Sequence, residues 1–523
     1  MACHRTPKPR NAHATGLVEF NMASLPLELI EQICSLLCPH CQNPGQFPAD
    51  NNDVWVSKKA LAHLCRASRR VCAVAQPFLF HYYTTGNVPP ETHCGLRGRD
   101  TSLVHQDDKL PAFLRSINQR PDLAAHVRNL QLVESHEVGG LTPDLAAMFL
   151  EASRRIGASS HAPTLDHLHT KIWSSLGQSE TVRQIQRRKV HHWLEELAIL
   201  LSPNVEMLLA ARDSFCQYEH VRASGTSLQS LKTVAVRGVT RNQHVHEAAA
   251  LFAAAPNLES LRSAHCSLFD GLGPWTLGKP WTLSLAGVRS LAVGEIGFDD
   301  LALLVACCPG LRELAVSAVN VHRTAGVDYW DVSKLLQALD AVRPQLRKLR
   351  VTHTPSRRPG ARARWPASEA SWSFREFGQL EELALDQEAI DRRSPMETPG
   401  HGALVAESMA EILPPSIKTL HIQYVNQGFA GKLKRLATEA SLWLPALECV
   451  CLGPEGGSDS GDAARLLHDE INAHFKQAGV QVRWDSSASI GTSNTASCTA
   501  SSKDSDLAGD LRRISTDMRQ LVL

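Results

Sequence analysis

Hydrophobic residues follow two different spacings along the 523-residue chain, and the change occurs near residue 127. Before this point, apolar residues recur three or four positions apart, which is the period of an amphipathic helix. After it, a short phrase recurs, made of one apolar, two polar, one apolar, one variable and one apolar residue. The last two apolar positions alternate as in a β-strand. The pattern therefore predicts a helical N-terminal segment followed by a longer region of strands.

The N-terminal segment, residues 23–83, predicts three short helices. The apolar stripe of the first helix consists of Leu25, Leu29, Ile33 and Leu37. The second helix contains Leu61 and Leu64, and Pro77 is expected to end the third, since proline lacks the backbone donor. Three helices of this size bury too little apolar surface to be stable alone. They need a partner, which is either the rest of the chain or another protein.

This segment resembles the F-box in the form found in many filamentous-fungal proteins. The residues that carry the resemblance are Leu25, Pro26, Glu28, Leu29, Ile33, Leu37, Leu61, Leu64, Cys65, Ser68, Arg69, Arg70, Val71, Ala75 and Pro77. In that family the helices dock on a Skp-type adaptor, which links them to a cullin-RING ubiquitin ligase. The resemblance implies an adaptor-binding set of Leu25, Pro26, Leu29, Ile33, Leu37, Leu61 and Leu64. The insert from Pro39 to Lys59 departs from the compact motif, and an ordinary three-helix cap on a larger domain is the alternative interpretation.

The strand phrase occurs nine times between residues 127 and 452. Its central apolar positions are Leu130, Leu231, Leu261, Leu291, Leu314, Leu349, Leu383, Leu420 and Val450. From Leu228 onward, successive copies begin 23 to 37 residues apart. A fixed phrase at such an interval is typical of a solenoid.

Helix-compatible stretches that end at proline lie between these copies. They occupy residues 246–256, 299–309, 332–344, 403–415 and 433–445. One unit of helix, proline turn, strand and loop cannot bury its own apolar faces, whereas stacked units bury them against each other. The array resembles the irregular leucine-rich repeats that follow the F-box in many receptors. It departs from their consensus because the Asn or Cys after each strand is mostly missing, with Cys266 the nearest case. An ordinary α/β domain with parallel strands predicts a similar alternation.

These patterns divide the chain into five parts. We expect a disordered tail at 1–22, the F-box-like segment at 23–83, a linker at 84–109, the repeat region at 110–484 and a Ser/Thr-rich disordered tail at 485–523. Residues 133–200 fit the repeat poorly and are expected to be a helical insertion. The basic loop at 357–375 contains two tryptophans; it suits an acidic or single-stranded nucleic-acid partner, or is simply a solvated insertion.

Composition narrows the class of protein. The formal net charge is +1, from 54 basic and 53 acidic residues, so no overall field favours nucleic acid or an anionic membrane. No apolar run approaches the roughly 20 residues that span a bilayer, and no apolar core of a signal peptide follows the basic N-terminus. We therefore expect a cytoplasmic or nuclear protein whose 14 cysteines are reduced.

The sequence offers few candidate metal-binding or catalytic residues. Cys34, Cys38 and Cys41 have partial zinc-ligand spacing, with His40 between them, but a structural site needs four placed donors. Buried thiols are the competing interpretation, and we expect neither a metal nor another cofactor. His191 and His192 have no accompanying acidic arrangement, and no phosphate loop, nucleophile elbow or metalloprotease motif is present. The sequence thus predicts a protein without enzymatic activity.

The expected fold class is α/β: a three-helix F-box-like segment, then an irregular leucine-rich-repeat solenoid. As the resemblance implies, such a chain recruits a protein substrate to the ligase through its repeats and binds the Skp-type adaptor through the F-box. Membrane and nucleic-acid partners are not expected. The alternative is a leucine-rich-repeat scaffold or binding protein that acts outside a ubiquitin ligase, with the Leu25–Ile33 stripe buried as a cap.

Overall fold

A parallel sheet of twelve strands forms the body of the protein. The computed structural model describes residues 25–47, 51–85, 109–133, 141–158, 180–212, 218–238, 245–264, 283–294, 296–319, 332–354, 373–390, 408–425, 427–454 and 462–484. The strands lie side by side in chain order, from β1 to β12, and each pairs in parallel with the next. Their bounds are β1 Tyr82–Thr84, β2 Asn129–Val133, β3 Met207–Arg212, β4 Thr233–Gly238, β5 Ser260–Ala264, β6 Ser290–Gly294, β7 Glu313–Val319, β8 Lys348–Thr354, β9 Glu382–Asp386, β10 Thr419–Val425, β11 Cys449–Pro454 and β12 Gln481–Trp484.

The described helices precede the sheet or connect its strands. They are α1 Leu27–Leu37, α2 Pro39–Gln42, α3 Asn51–Ala67, α4 Arg69–Phe80, α5 Leu110–Gln119, α6 Pro121–Ala124, α7 Pro143–Arg155, α8 Glu180–Leu200, α9 Glu219–Ser224, α10 Ala249–Ala254, α11 Phe298–Ala306, α12 Val332–Ala338, α13 Gln387–Ile390, α14 Met409–Ile412, α15 Ala430–Trp443 and α16 Asp462–Gln477. Two 3-10 helices occupy Val245–Ala248 and Gln427–Phe429. Because neighbouring strands are consecutive in the chain, the sheet lacks the reversal of strand order that defines doubly wound α/β folds.

All nine copies of the phrase contain a strand, and their central apolar positions align across the sheet, except in the second copy, where Val234 instead of Leu231 takes the aligned position. Leu314 pairs with Leu349, Leu349 with Leu383, and Leu383 with Leu420. These side chains are almost fully buried in one core cluster that extends from Tyr83 to Val480 and includes the apolar faces of the connecting helices. The prediction of mixed α/β structure is therefore confirmed, and the recurring phrase is the sequence signal of this buried row.

The region from 133 to 200 connects two adjacent strands. β2 ends at Val133, and β3, which pairs with it, begins at Met207. The connection contains α7 and the 21-residue α8, whose Trp193, Leu194 and Leu197 are buried in the main core. The expected helical insertion is thus an enlarged crossover that contributes to the core.

The N-terminal helices form a separate small cluster, called here the helical unit (α1–α4). Its buried residues are Ile30, Cys34, Leu37, Cys38, Ala60, Leu61, Leu64, Val71 and Ala75. The Ser68 hydroxyl caps α4 by accepting a hydrogen bond from the Val71 amide at 3.1 Å. Arg70 donates to the Leu25 carbonyl at 2.9 Å and so ties α4 to the start of α1.

Two details of the helical unit differ from expectation. It contains four helices instead of three, because the Pro39–Lys59 insert forms the one-turn α2 and the first half of α3. α4 also continues through Pro77 to Phe80. The proline removes one backbone hydrogen bond, while Phe78 and Leu79 pack against the cluster on the far side of it and keep the last turn helical.

Several predictions fall outside the described residues. These include both expected tails, most of the 84–109 linker and most of the basic tryptophan loop. Among the described helices, none has both the length and the apolarity that crossing a bilayer requires.

Candidate functional site

Helix α1 carries apolar residues on two faces. Ile30, Cys34 and Leu37 occur at helical spacing and are buried in the core of the helical unit. Leu27, in the first turn, and Leu29 are outside this core, with 43% and 45% of their surface exposed. An amphipathic helix in a folded protein normally directs its apolar stripe inward and polar residues outward. The exposure of these two leucines is therefore unexplained by the fold of the described chain.

The residues of the implied adaptor-binding set separate into two groups. Pro26 and Leu29 are exposed, and Leu25 and Ile33 are half-buried at the border of the cluster. Leu37, Leu61 and Leu64 are at most 5% exposed, so they hold the helices together and cannot contact a partner directly in this structure. The accessible apolar surface thus comprises Leu25, Pro26, Leu29 and Ile33, joined by Leu27. We call these five residues the α1 face.

Leu27 was missed in the sequence because the stripe was taken to begin at Leu25 and continue at Leu29. A residue two positions from both lies off that line. The signal that could have identified it is Ile30-Cys34-Leu37, which already satisfies the core and leaves every remaining leucine of the helix unaccounted for.

The sheet has a second face, opposite the aligned apolar row, and this face carries charged side chains at the middle of the sheet. On this face, Lys348 of β8 lies between Glu313 of β7 and Glu382 of β9, each directly paired with it in register. The Lys348 Nζ atom is 3.4 Å from the Glu313 carboxylate and 3.8 Å from that of Glu382. Glu382 is also 3.6 Å from Arg350 and 3.7 Å from the His421 ring. These five residues form the sheet-face charge cluster.

Nearer the helical unit, the same face of the sheet is apolar and is covered by another part of the chain. Phe47, from the loop after α2, packs there against Val133, Met207, Leu209, Ala211 and Ala235. The two ends of the face therefore differ: β2–β4 are sealed by the chain itself, and β7–β10 present partly exposed charges. The charges of β7–β10 occupy the strand positions between the buried apolar residues.

A third group of polar side chains lies where the helical unit meets the sheet. Cys38, His40, Cys41 and His81 place their sulfur and ring nitrogen atoms within 4.8 Å of one another. His81 Nδ1 is 3.6 Å from Cys38 Sγ and 3.5 Å from Cys41 Sγ, and His40 Nδ1 is 3.7 Å from Cys41 Sγ. A hydrogen bond from Cys38, joined by weaker ones from both histidines, lowers the pKa of Cys41 to about 3. The same bond and burial raise the pKa of Cys38.

This group differs from the spacing noted in the sequence. Cys34 points into the helical core and takes no part in it. His81 completes the group from the end of α4, 40 residues beyond Cys41. A separation of that length gives no local pattern, so only the packing of α4 beside α2 reveals it.

The two histidines of α8, His191 and His192, are buried. His191 is fully buried beside Glu195, one helical turn away, with 3.4 Å between its Nδ1 and the carboxylate. The neighbouring Glu196 accepts hydrogen bonds from the backbone amides of His220 and Val221 and so joins α8 to α9. Of these polar groups, Glu196 connects the two packed helices.

No protein-family model matches the chain, and no curated protein matches it either.

Proposed function

We propose that the protein is a substrate-recruiting F-box-type subunit of a cullin-RING ubiquitin ligase. The observation that carries the proposal is the α1 face. Five apolar residues lie at the start of the folded helical unit and are not among the buried residues of its core. Two of them are leucines exposed by more than 40%. Rimmed apolar surfaces of this kind mark binding sites for other proteins.

The α1 face is held in place before any partner binds. The bond from Arg70 to the Leu25 carbonyl fixes the start of α1, and Ile30, Cys34 and Leu37 anchor its inner side. A preformed face lowers the entropic cost of association, because few side chains and no backbone must be ordered on binding. A Skp-type adaptor with an apolar groove is the partner that the F-box resemblance implies for this face.

The sheet supports the second half of the proposal. Twelve consecutive parallel strands with one aligned apolar row fit the stacking of an irregular leucine-rich-repeat solenoid. In such an array each unit contacts its neighbours, and the strand face stays accessible where the chain does not cover it, as at β7–β10. The sheet-face charge cluster, together with the loops at the strand ends, is the proposed binding surface for a protein substrate.

The mechanism is proximity. α4 ends at Phe80 and β1 begins at Tyr82, so one residue separates the docking unit from the first strand of the substrate-binding region. The His81 carbonyl accepts hydrogen bonds from the amides of Arg128 and Asn129, at 3.0 and 2.9 Å, which restrains that junction. A stiff connection between two binding surfaces raises the effective concentration of one partner near the other. No side chain of this protein performs chemistry in such a role.

The test is a pull-down of the full chain with a recombinant Skp-type adaptor. Leu27→Glu/Leu29→Glu changes only exposed leucines and should abolish binding while circular dichroism stays unchanged. Leu25→Ala/Pro26→Ala/Ile33→Ala should weaken binding as well. Leu442→Glu is the matched control, since Leu442 is a leucine on the distant helix α15 with 76% exposure. Wild-type protein that is folded and does not bind the adaptor would leave the alternative of a repeat scaffold outside any ligase.

A further inference from the structure

The proposed function makes no use of Cys38, His40, Cys41 and His81, although they converge at one point. Two thiols and two imidazoles are the donor set of the commonest closed zinc sites in small structural domains. Their order in the chain is unusual, with three donors in the four-residue run Cys38–Cys41 and the fourth supplied by His81.

The distances between the donors fit a single tetrahedral ion. Zinc binds sulfur at about 2.3 Å and imidazole nitrogen at about 2.0–2.1 Å, so a tetrahedral site separates each sulfur from each nitrogen by about 3.6 Å. Three of the four sulfur–nitrogen separations in the cluster are 3.5, 3.6 and 3.7 Å. The rings of His40 and His81 are nearly perpendicular, at 77°, with their centroids 5.3 Å apart, an arrangement that two imidazoles adopt around one ion. All four donor atoms lie within 4.8 Å of one another, and small side-chain rotations close the set.

We propose that Cys38, His40, Cys41 and His81 form a structural Zn²⁺ site. Each bound thiol loses its proton to solvent as a Zn–S bond replaces the S–H bond, and each imidazole binds as the neutral ring. Thiolate and imidazole donors favour zinc over magnesium or calcium, which prefer oxygen ligands. Four protein ligands leave no position for a substrate, so the site stabilises structure and has no catalytic role.

A thiol–disulfide redox site is the competing use of a Cys-x-x-Cys run. Such a site needs an accessible attacking thiolate that is free to reach a partner. Cys38 is fully buried, and the sulfur of the partly exposed Cys41 has a nitrogen atom of each of the two imidazoles within 3.7 Å. These features favour the metal.

The zinc ion would hold three parts of the molecule together. Cys38 follows the last residue of α1, His40 and Cys41 belong to α2, and His81 lies between α4 and β1. The His81 carbonyl is already bonded to the amides that begin β2. The site therefore attaches the helix that carries the α1 face to the first strands of the sheet, and its loss should loosen that attachment. This inference does not depend on the identity of the partner.

The test is the metal content of the full chain, expressed with zinc and purified under reducing conditions. We expect about one zinc per chain by mass spectrometry of the element. Cys38→Ser/Cys41→Ser should lose it. Cys65→Ser/Cys72→Ser is the matched control, because these two half-buried thiols belong to the same helical unit and lie outside the cluster; it should keep the zinc.

A second measurement keeps the test decisive if the serine variant does not fold. Wild-type protein reconstituted with Co²⁺ should show the absorption of tetrahedral cobalt bound by thiolates, and His40→Ala should weaken Co²⁺ affinity at least about tenfold. Folded wild type that binds neither ion overturns the proposal, as does a Cys38–Cys41 disulfide in protein isolated without reductant. Full zinc content in Cys38→Ser/Cys41→Ser overturns it too.

Discussion

The carboxylate of Asp300 is buried at the start of α11. The residue is 6% exposed, and its Oδ1 atom has no hydrogen-bond partner among the described residues. Burial, with a smaller contribution from the charge of Asp299, raises the pKa of Asp300 to about 7. The unfolded chain keeps a pKa near 3.9. The folded protein therefore binds this proton more tightly, and ionisation costs stability as the pH rises from about 4 to about 7.

We predict that Asp300→Asn stabilises the protein at pH 8 by up to about 4 kcal/mol relative to wild type, and that the gain disappears towards pH 4. Urea denaturation at a series of pH values measures the difference. Asp299→Asn, at the exposed neighbouring position, should have a much smaller effect. A pH-independent difference between Asp300→Asn and wild type would contradict the account.

Leu383 represents the aligned apolar row at the scale of one side chain. It is fully buried and pairs directly with Leu349 and Leu420. Leu383→Ala should lower the free energy of unfolding by about 2–5 kcal/mol, because the cavity cannot collapse between two fixed neighbours. Leu303→Ala, at a leucine that is 46% exposed on α11, should cost under about 1 kcal/mol. Equal losses in urea denaturation would show that the row does not hold the sheet together.

At the scale of elements, β7–β10 are linked on one face by the sheet-face charge cluster. Glu382 is the shared acid of Lys348, Arg350 and His421. We predict that Glu382→Gln lowers stability by roughly 1 kcal/mol at low salt, since Lys348 and Arg350, both on β8, then lose the carboxylate that they share. The loss should shrink in high salt, where the Debye length is shorter.

The neighbouring Glu381 is the control for this prediction. It makes a single, more exposed ion pair with Lys418, at 3.3 Å. Glu381→Gln should change stability by less than half as much. If both variants behave alike in chemical denaturation at two salt concentrations, the cluster has no collective effect.

The strands show which elements a sequence pattern can predict. The nine copies of the phrase were recognisable because each buries two alternate side chains in the core, and this requirement repeats. β3 was missed although Val205, Leu208 and Ala210 satisfy the same form. Its run of Met207–Ala211 is apolar throughout, because Phe47 covers its other face, so no alternation stands out. β1 and β12 occupy the two ends of the sheet and have only part of the phrase.

The candidate site shows what a sequence pattern cannot predict. The α1 stripe was predicted as a single face, and the structure divides it into a buried face and an exposed one around the same helix. Periodicity alone cannot distinguish them, because Leu29 and Ile30 are both apolar and differ only in which way they point. His81 joins Cys38 and Cys41 through tertiary packing, and the ion pairs of Glu382, on β9, involve residues of β8 and β10. Such groupings depend on contacts between residues distant in sequence, which leave no local pattern.

At the scale of the whole molecule, one continuous framework separates the α1 face from the sheet-face charge cluster. The helical unit passes into β1 through His81, and the core cluster then runs without interruption to β12. Lys58 of α3 adds to this junction, with its Nζ 5.7 and 5.6 Å from the centres of the Tyr82 and Tyr83 rings. A protein that recruits by proximity needs this stiffness, because the distance between its two partners is then fixed by its fold.

The most direct test of the account is a calorimetric titration of a recombinant Skp-type adaptor into the full chain. We predict a wild-type Kd below about 1 µM. Leu27→Glu/Leu29→Glu should weaken binding at least about 100-fold, since two central apolar contacts are replaced by charges that the interface must desolvate, whereas Leu442→Glu should bind as wild type does. Absence of binding by the folded wild type, or equal affinity of the two glutamate variants, would contradict the proposed role of the α1 face.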